Sequence, residues 1–302
     1  MKFRNFSNLD WQVSEIGLGC WAIGSEWGEV SAEDAQDVLK ASLDNGVNFF
    51  DTADVYGDGR SEKFVGELLK STSEKIYVAT KSGRRLNPHT PEGYSLKNIE
   101  AFIDRSLINL GIDCIDLLQL HCPPSETCAK KETYEMMDEI VKKGKIASYG
   151  VSVEKVSEAM DAINFSNVKS IQIIFNIFRQ KPSEEFFKEA AKKNVAIIAR
   201  VPLASGLLTG KMNKNSSFPQ NDHRNYNING DAFDVGETFS GVNYTKGLEA
   251  VEKLKELIPS DFTLTDLALK WILMHPEVSV VIPGAKNKLQ ASNNVKSSDL
   301  ND

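Results

Sequence analysis

The segment VNFFDTADVYG (47–57) joins a short apolar run to a polar loop that holds an aspartate and a tyrosine. Two similar runs follow, IYVATK (76–81) and IDLLQLH (115–121), and they end in a lysine and a histidine. Short apolar runs of this kind, each followed by a helical pattern, are typical of buried parallel strands. The strand ends and the first loop supply four side chains of unlike chemistry: Asp51, Tyr56, Lys81 and His121.

The same alternation extends over the whole chain and predicts its fold. The apolar runs are IGLGC, VNFFD, IYVATK, IDLLQLH, KIASYGVS, SIQIIFN, VAIIARV and VSVVIPG. Helical patterns lie between them, near Ser31–Asn45, Ser61–Lys70, Leu96–Leu110, Tyr134–Lys143, Glu154–Ile163, Ser183–Lys193, Gly247–Leu257 and Leu264–Met274. This order predicts an α/β fold of the (β/α)8 TIM barrel type, with extra helices before strand eight.

Two further observations complete the predicted architecture. The segments KFRNF and WQVSEIG, separated by a turn, predict an N-terminal β-hairpin cap on the barrel floor. A doubly wound sheet would show the same alternation of strands and helices, but no GxGxxG follows the first strand. We therefore expect one barrel domain over residues 1–302.

The four polar side chains predict a reaction centre, because the C-terminal strand ends of a barrel share one rim. An ammonium near a phenol favours the phenolate, so we expect Lys81 to lower the pKa of Tyr56. A buried lysine needs a carboxylate to stay charged, and Asp51 on the neighbouring strand is the candidate. His121 can donate a hydrogen bond to a carbonyl oxygen. The set describes a general acid with the groups that tune it.

Composition narrows the classes of partner. A net charge of −7 over 302 residues argues against nucleic acid and against an anionic membrane as main partners. We find no apolar stretch of about 20 residues and no secretory leader. The cysteines lack metal-ligand spacing, so we expect no metal site and free thiols in a reducing cytoplasm. They are Cys20, Cys114, Cys122 and Cys128.

Two glycine-containing segments predict anion binding. VPLASGLLTGK (201–211) lets backbone N–H groups approach an anion closely, and Lys211 could add charge. IPGAKNKLQASNN (282–294) places Lys286 and Lys288 ahead of a short helix. Barrels bind phosphate at the loops after strands seven and eight, where these segments lie. The alternative is that the glycines serve turns and the lysines are solvated.

The motifs together carry a family resemblance. The segments GLGCWAIGSEWG, FFDTADVYGDGRSE, VATKSG, LLQLHCP, YGVS, PLASGLLTGK and VIPGAKN resemble the aldo-keto reductases, in particular the bacterial stress-protein-like branch that also resembles potassium-channel β subunits. The resemblance implies NADP(H)-dependent reduction of aldehyde or ketone carbonyls to alcohols. Tyr56 would be the proton donor, Lys81 and Asp51 its tuning pair, and His121 the residue that orients the carbonyl.

The resemblance also assigns cofactor contacts. Ser152 and Gln172 match positions that hold the nicotinamide carboxamide, and the loop 202–211 would clasp the pyrophosphate. Arg200 takes the place of an aromatic that stacks on nicotinamide, and its charge would favour the reduced over the oxidised ring. The full set is Cys20, Trp21, Asp51, Ser152, Gln172, Arg200, Val201, Pro202, Leu203, Ala204, Ser205, Gly206, Leu208, Gly210, Lys211, Gly284, Ala285, Lys286, Gln290, Asn293 and Asn294.

The substrate side is less defined. Trp21, Trp27, Tyr56 and His121 are the expected contacts of a small-molecule carbonyl substrate, and aromatic residues of the loop 212–244 could wall the pocket or cover the rim. Two other classes stay open. A Schiff-base aldolase would use Lys81 as nucleophile, and a nicotinamide-sensing binding protein would keep the site with slow turnover. The natural substrate, strict NADP preference and oligomeric state are not encoded in a recognisable motif.

Overall fold

The computed structural model of the protein describes residues 1–24 and 27–300, and a parallel sheet of eight strands forms its centre. The strands of this sheet follow chain order: β3 (Leu18–Gly19), β4 (Phe49–Asp51), β5 (Tyr77–Ser82), β6 (Ile115–His121), β7 (Ile146–Ser152), β8 (Val168–Ile174), β9 (Ala196–Arg200) and β10 (Val278–Val281). Parallel bridges from Ile16 to Val281 and from Gly19 to Gly284 join the first strand to the last. The predicted (β/α)8 barrel is therefore confirmed.

The predicted hairpin is also confirmed as a cap on the barrel floor. Strands β1 (Phe3–Asn5) and β2 (Gln12–Ser14) pair antiparallel. Phe6 and Val13 are fully buried and pack in one apolar cluster with inward-facing residues of the barrel strands. Apolar burial thus closes the end of the barrel opposite the predicted site.

Helices lie between and after the strands of the sheet. They are α1 (Trp21–Gly24), α2 (Ala32–Asp44), α3 (Arg60–Ser71), α4 (Leu96–Leu110), α5 (Ser125–Ala129), α6 (Lys131–Lys142), α7 (Val156–Ala162), α8 (Phe186–Lys192), α9 (His223–Tyr226), α10 (Tyr244–Lys255), α11 (Leu264–Leu273) and α12 (Lys288–Lys296). The two helices α10 and α11 before β10 agree with the prediction. The short helices α1, α5 and α9 were not predicted, because four or five residues carry too little periodicity.

Helix caps explain where prediction succeeded and where it failed. The Ser31 hydroxyl accepts a hydrogen bond from Asp34 N at 3.0 Å, as expected of the cap of α2. At Ser183 we expected a capping serine at the start of the next helix, but its hydroxyl donates to Gln180 O at 2.8 Å and α8 begins only at Phe186. A short 3-10 turn over Lys181–Ser183 takes up the intervening chain.

The long segment after β9 has a small core of its own. Ala204, Leu208 and Phe239 are fully buried there with residues of α10 and α11. This packing fixes the loop over the open end of the barrel. Within residues 1–24 and 27–300 no helix is long and apolar enough to cross a membrane. The four thiols are free, and Cys114 is exposed whereas the other three are buried.

Candidate active site

An ion pair between neighbouring strands lies at the centre of the predicted site. Lys81 on β5 donates from Nζ to Asp51 Oδ1 on β4 at 2.5 Å and to Thr52 O at 2.8 Å. The lysine is 1% exposed and the aspartate 2%. Parallel pairing of β4 and β5 places both side chains at the same end of the barrel. A buried ammonium thus has the carboxylate that the sequence predicted for it.

Two glutamines satisfy the other oxygen of Asp51. Gln119 donates to Asp51 Oδ2 at 2.9 Å and Gln172 at 2.7 Å, and Gln172 also donates to Gln119 Oε1 at 3.1 Å. Gln172 was predicted to hold the nicotinamide carboxamide, but its amide nitrogen is engaged with Asp51. Gln119 was not predicted, since a glutamine inside an apolar run has no distinctive motif. These bonds fix the orientation of the Asp51 carboxylate.

Tyr56 follows β4 in a tight loop and reaches back to the ion pair. Lys81 Nζ lies 3.3 Å from the Tyr56 hydroxyl and 5.0 Å from its ring centroid. Burial and the Asp51 carboxylate raise the pKa of Tyr56 well above its usual value of 10. Contrary to the expectation from the sequence, the net pKa therefore does not fall below its usual value, because burial, and then the Asp51 carboxylate, raise it. The phenol therefore keeps its proton at neutral pH.

His121, at the end of β6, faces the tyrosine. Its ring centroid lies 6.0 Å from that of Tyr56, with the rings at 89°. Burial, Lys81 and two arginines hold the pKa of His121 well below 6.5, so the imidazole is neutral. Its Nδ1 is buried and has no hydrogen-bond partner among the described residues. All four predicted side chains therefore meet at one end of the barrel, and a neutral phenol and a neutral imidazole adjoin there.

A cavity of about 860 Å³ opens above these groups. Asp51, Tyr56 and His121 line it, whereas Lys81 lies behind Tyr56 and does not. The predicted cofactor and substrate contacts that line it are Trp21, Trp27, Ser152, Gln172, Arg200, Val201, Pro202, Leu203, Ser205, Gly206, Lys211, Gly284, Ala285, Lys286, Gln290, Asn293 and Asn294. The cavity thus joins the strand ends to both predicted anion-binding loops.

Some predicted contacts lie outside the cavity lining. Cys20 is fully buried in the main core, where its thiol donates to Leu18 O at 3.7 Å. Ala204 and Leu208 point into the small core of the loop after β9. Gly210 ends a 3-10 helix in the left-handed conformation. The sequence of this loop does not indicate which of its residues line the cavity and which pack in the core.

One predicted hydroxyl is already engaged. Ser205 Oγ donates to Glu237 O at 2.8 Å and accepts from Phe239 N at 3.0 Å. The residue is 2% exposed and has a φ of 55°. The hydroxyl therefore ties the loop after β9 to the chain around Glu237 and Phe239.

Arg200 was predicted as a cofactor contact, but sequence reasoning missed other charged residues of the cavity, among them Glu237, Arg84 and Arg224. Arg200 forms a hydrogen-bonded ion pair with Glu237 and donates to Val153 O at 2.8 Å. Although burial opposes it, Glu237 raises the pKa of Arg200. Arg84 and Arg224 also line the cavity. Arg84 lies just past β5, whereas Glu237 and Arg224 lie in the long segment after β9, and none of the three carries a sequence signal for convergence.

An aromatic stack walls the substrate side. Trp21 lies 5.9 Å from Tyr56 on one face and 4.8 Å from His223 on the other, between ring centroids. Trp27 and Phe233 contact the same stack edge-on. Phe233 and Trp27 line the cavity, but Phe239 is a core residue. The long loop therefore supplies both pocket wall and structure.

Comparison with known proteins decides the family. The Aldo/keto reductase family profile matches residues 15–302. The chain belongs to the aldo/keto reductase family. Aldo-keto reductase yakc of Schizosaccharomyces pombe (strain 972), which is named for NADP(+), is 32% identical over 91% of this chain and 80% of its own length. Membership places this aldo/keto reductase among oxidoreductases.

Two further similarities agree with the predicted branch. A probable voltage-gated potassium channel subunit beta of Arabidopsis thaliana is 29% identical over 99% of this chain and 92% of its own. The structure of aldo-keto reductase AKR11C1 from Bacillus halodurans in its holo form has a TM-score of 0.79 and 30% identity, and covers 100% of this chain and 92% of its own. The family resemblance and the fold are thereby confirmed.

Proposed function

We propose that this aldo/keto reductase is an NADP(H)-dependent enzyme that reduces aldehyde or ketone carbonyls to alcohols by hydride transfer, with Tyr56 as proton donor. The observation that carries the proposal is the 3.3 Å approach of Lys81 Nζ to the Tyr56 hydroxyl at the base of the cavity. A protonated phenol can give its proton to a carbonyl oxygen, and the ammonium stabilises the phenolate that remains. His121 is neutral and can hydrogen-bond the same oxygen.

The far part of the cavity fits a long anionic cofactor. Lys211, Lys286, Lys296 and Arg224 line it. Burial is the main cause that lowers the pKa of Lys286, and the charge of Arg224 adds to it. An anionic phosphate there would pair with these cations, which favours NADP(H) over NAD(H). When bound, NADPH would supply the hydride.

Chain residues would hold that cofactor in separate regions. Ser152 and Arg200 line the cavity beside the catalytic end, and Gln290, Asn293 and Asn294 line it beside α12. The Asn287 side chain accepts from Gln290 N at 3.0 Å and caps α12, so its N-terminus is ordered next to Lys286. The small-molecule carbonyl would enter beside Trp21 and Phe233.

The Schiff-base alternative is less well supported. All three donors of the Lys81 ammonium have acceptors within reach, at Asp51, Thr52 and Tyr56. A nucleophilic lysine must present its amine to the substrate carbonyl, and Lys81 is not part of the cavity lining. The nicotinamide-sensing alternative keeps the same geometry and differs in turnover alone.

Substitution of Tyr56 by phenylalanine tests the proposal. We expect NADPH oxidation at 340 nm, with an aldehyde panel, to fall by about 10²–10⁴-fold, the usual range for loss of a general acid. NADPH binding, measured by its fluorescence, should stay within about threefold, because the hydroxyl is not among the proposed cofactor contacts. A Tyr56→Phe rate within a few fold of the unsubstituted protein would remove Tyr56 from the donor role.

A further inference from the structure

We propose that the substrates of this site are carbonyl compounds that also carry a carboxylate, and that Arg84 binds the carboxylate. The inference rests on the proposed function and specifies its substrate class. The reduction leaves the carboxylate unchanged: the carbonyl carbon gains a hydride and the oxygen gains the Tyr56 proton.

Arg84 has the right position for this role. It follows β5 by two residues, after Gly83, whose φ of 113° turns the chain at the rim. Its side chain is 25% exposed and lines the cavity together with Tyr56 and His121. Its charge contributes to the lowered pKa of His121, so the guanidinium lies near the proposed carbonyl site.

The guanidinium of Arg84 has donors to spare. Its single hydrogen bond within residues 1–24 and 27–300 runs from Nη1 to Glu154 Oε1 at 3.3 Å. Arginine has five N–H donors in a planar fork. The other cations near Tyr56 are engaged, because Lys81 has three acceptors and Arg200 bonds Glu237 and Val153 O. Arg84 is therefore the cation at this end that can accept a new anionic partner.

Glu154 leaves room for such a partner. Its carboxyl is half-buried, and burial raises its pKa above the usual value even though Arg84 is close. A single contact at 3.3 Å is weaker than the bidentate geometry that a free carboxylate could form with the fork. A substrate carboxylate would thus gain a pair of charge-assisted bonds that the protein itself does not make.

The surrounding wall defines the rest of the molecule. The Arg84 guanidinium lies 5.8 Å from the ring centroid of Phe233, and Phe233 contacts Trp21 at 5.9 Å. The ring of Phe233 therefore lies next to the Arg84 guanidinium, and the ring of Trp21 lies next to Tyr56. The geometry suits a planar or apolar spacer between carbonyl and carboxylate, such as a benzene ring.

The test compares 4-carboxybenzaldehyde with its uncharged methyl ester, methyl 4-formylbenzoate, as NADPH-dependent substrates. We expect the unsubstituted enzyme to prefer the acid. Arg84→Gln should lower kcat/KM for the acid by about 10–100-fold, mainly through KM, because bonds to a charged group are being lost. The ester should change by no more than about twofold. Arg84→Lys should have a kcat/KM for the acid between that of the unsubstituted enzyme and that of Arg84→Gln.

Glu154→Gln provides the matched control, since it removes the other charge of the same ion pair. If Arg84 binds substrate, this variant keeps or increases the preference for the acid. If the ion pair serves structure alone, both variants lower acid and ester rates equally, and the inference is overturned. Equal rates for acid and ester in the unsubstituted enzyme would overturn it as well, while leaving the proposed function intact. NADPH binding without reduction of any carbonyl would instead reject the proposed function.

Discussion

Asp54 shows how a single residue near the site can be governed by its surroundings. Its carboxyl is fully buried two residues before Tyr56, and neither oxygen has a hydrogen-bond partner among the described residues. Arg85 Nε lies 3.4 Å from Oδ2 and Arg85 Nη2 donates to Asp54 O at 2.9 Å. Burial, with Glu62 nearby, raises the pKa of Asp54 from 3.8 to about 7. The residue is therefore a buried acid that titrates near neutrality.

This raised pKa predicts how stability depends on pH. Between about pH 4 and pH 7 the folded protein holds a proton on Asp54 that the unfolded chain has released, so this group's contribution is full below pH 4 and is lost as pH rises through 7. Asp54→Asn has no titrating carboxyl at this position, so its stability should not show this fall with rising pH. Urea unfolding should show its stability rising relative to the unsubstituted protein by about 2–3 kcal/mol from pH 5 to pH 8. Parallel pH curves for the two proteins would contradict this.

The residue scale also shows what sequence could predict at the site. Asp51, Tyr56, Lys81 and His121 were predictable because each sits at a strand end or in the next loop, and the barrel brings strand ends together. The direction of the Tyr56 pKa was not predictable. It depends on how completely Asp51 compensates Lys81 and on how deeply the phenol is buried, and both are distances that a sequence does not contain.

At the scale of elements, the loop after β9 and the end of that strand act together. Arg200 and Glu237 are 8% and 12% exposed and form an ion pair across the cavity rim. Ser205 bonds the same segment through Glu237 O. The preference of Arg200 for reduced nicotinamide stays a prediction, and we expect it to be weaker than for a free guanidinium, because a paired guanidinium repels the oxidised ring less.

Glu237→Gln tests this coupling. The substitution leaves the Arg200 charge uncompensated beside the proposed nicotinamide position, so the oxidised cofactor should be repelled. We expect the ratio of the NADP⁺ to the NADPH dissociation constant to rise by about 3–10-fold, as for a charge interaction at partial burial. Arg200→Met should move the ratio the other way. Titration by fluorescence measures both, and an unchanged ratio in both variants would mean that neither charge reaches the nicotinamide.

The same loop explains where prediction of elements failed. Strands and the long helices followed from apolar periodicity, as α4 and β6 illustrate. The short helix α9 and the turns around it depend on contacts between distant segments. His223 at its start stacks on Trp21 of α1, and Asn227 Oδ1 accepts from the backbone of Ala232 and Phe233. No local pattern encodes such contacts, so the residues of this wall could be proposed as aromatic but not assigned to pocket or core.

The whole molecule depends on closure of the barrel, where β3 meets β10 and the cavity begins. Gly17 N donates to Val281 O at 2.8 Å and Gly19 N to Pro283 O at 3.1 Å across this seam. A Cβ on Gly19 would lie 2.8 Å from the backbone oxygen of Ile282, which is too close. A Cβ on Gly284, which faces Gly19, would meet nothing nearer than 3.6 Å. The seam therefore has no room for a side chain at Gly19 but has room for one at Gly284.

This asymmetry predicts different effects for two similar substitutions. Gly19→Ala should destabilise the protein by about 1–3 kcal/mol, the usual cost of overpacking against an atom that cannot move freely. Gly284→Ala should change the free energy of unfolding by less than about 0.5 kcal/mol. Urea unfolding without cofactor measures both, so altered cofactor binding cannot account for a difference. Equal effects would show that the backbone at the seam yields, and that barrel closure does not require a glycine at position 19.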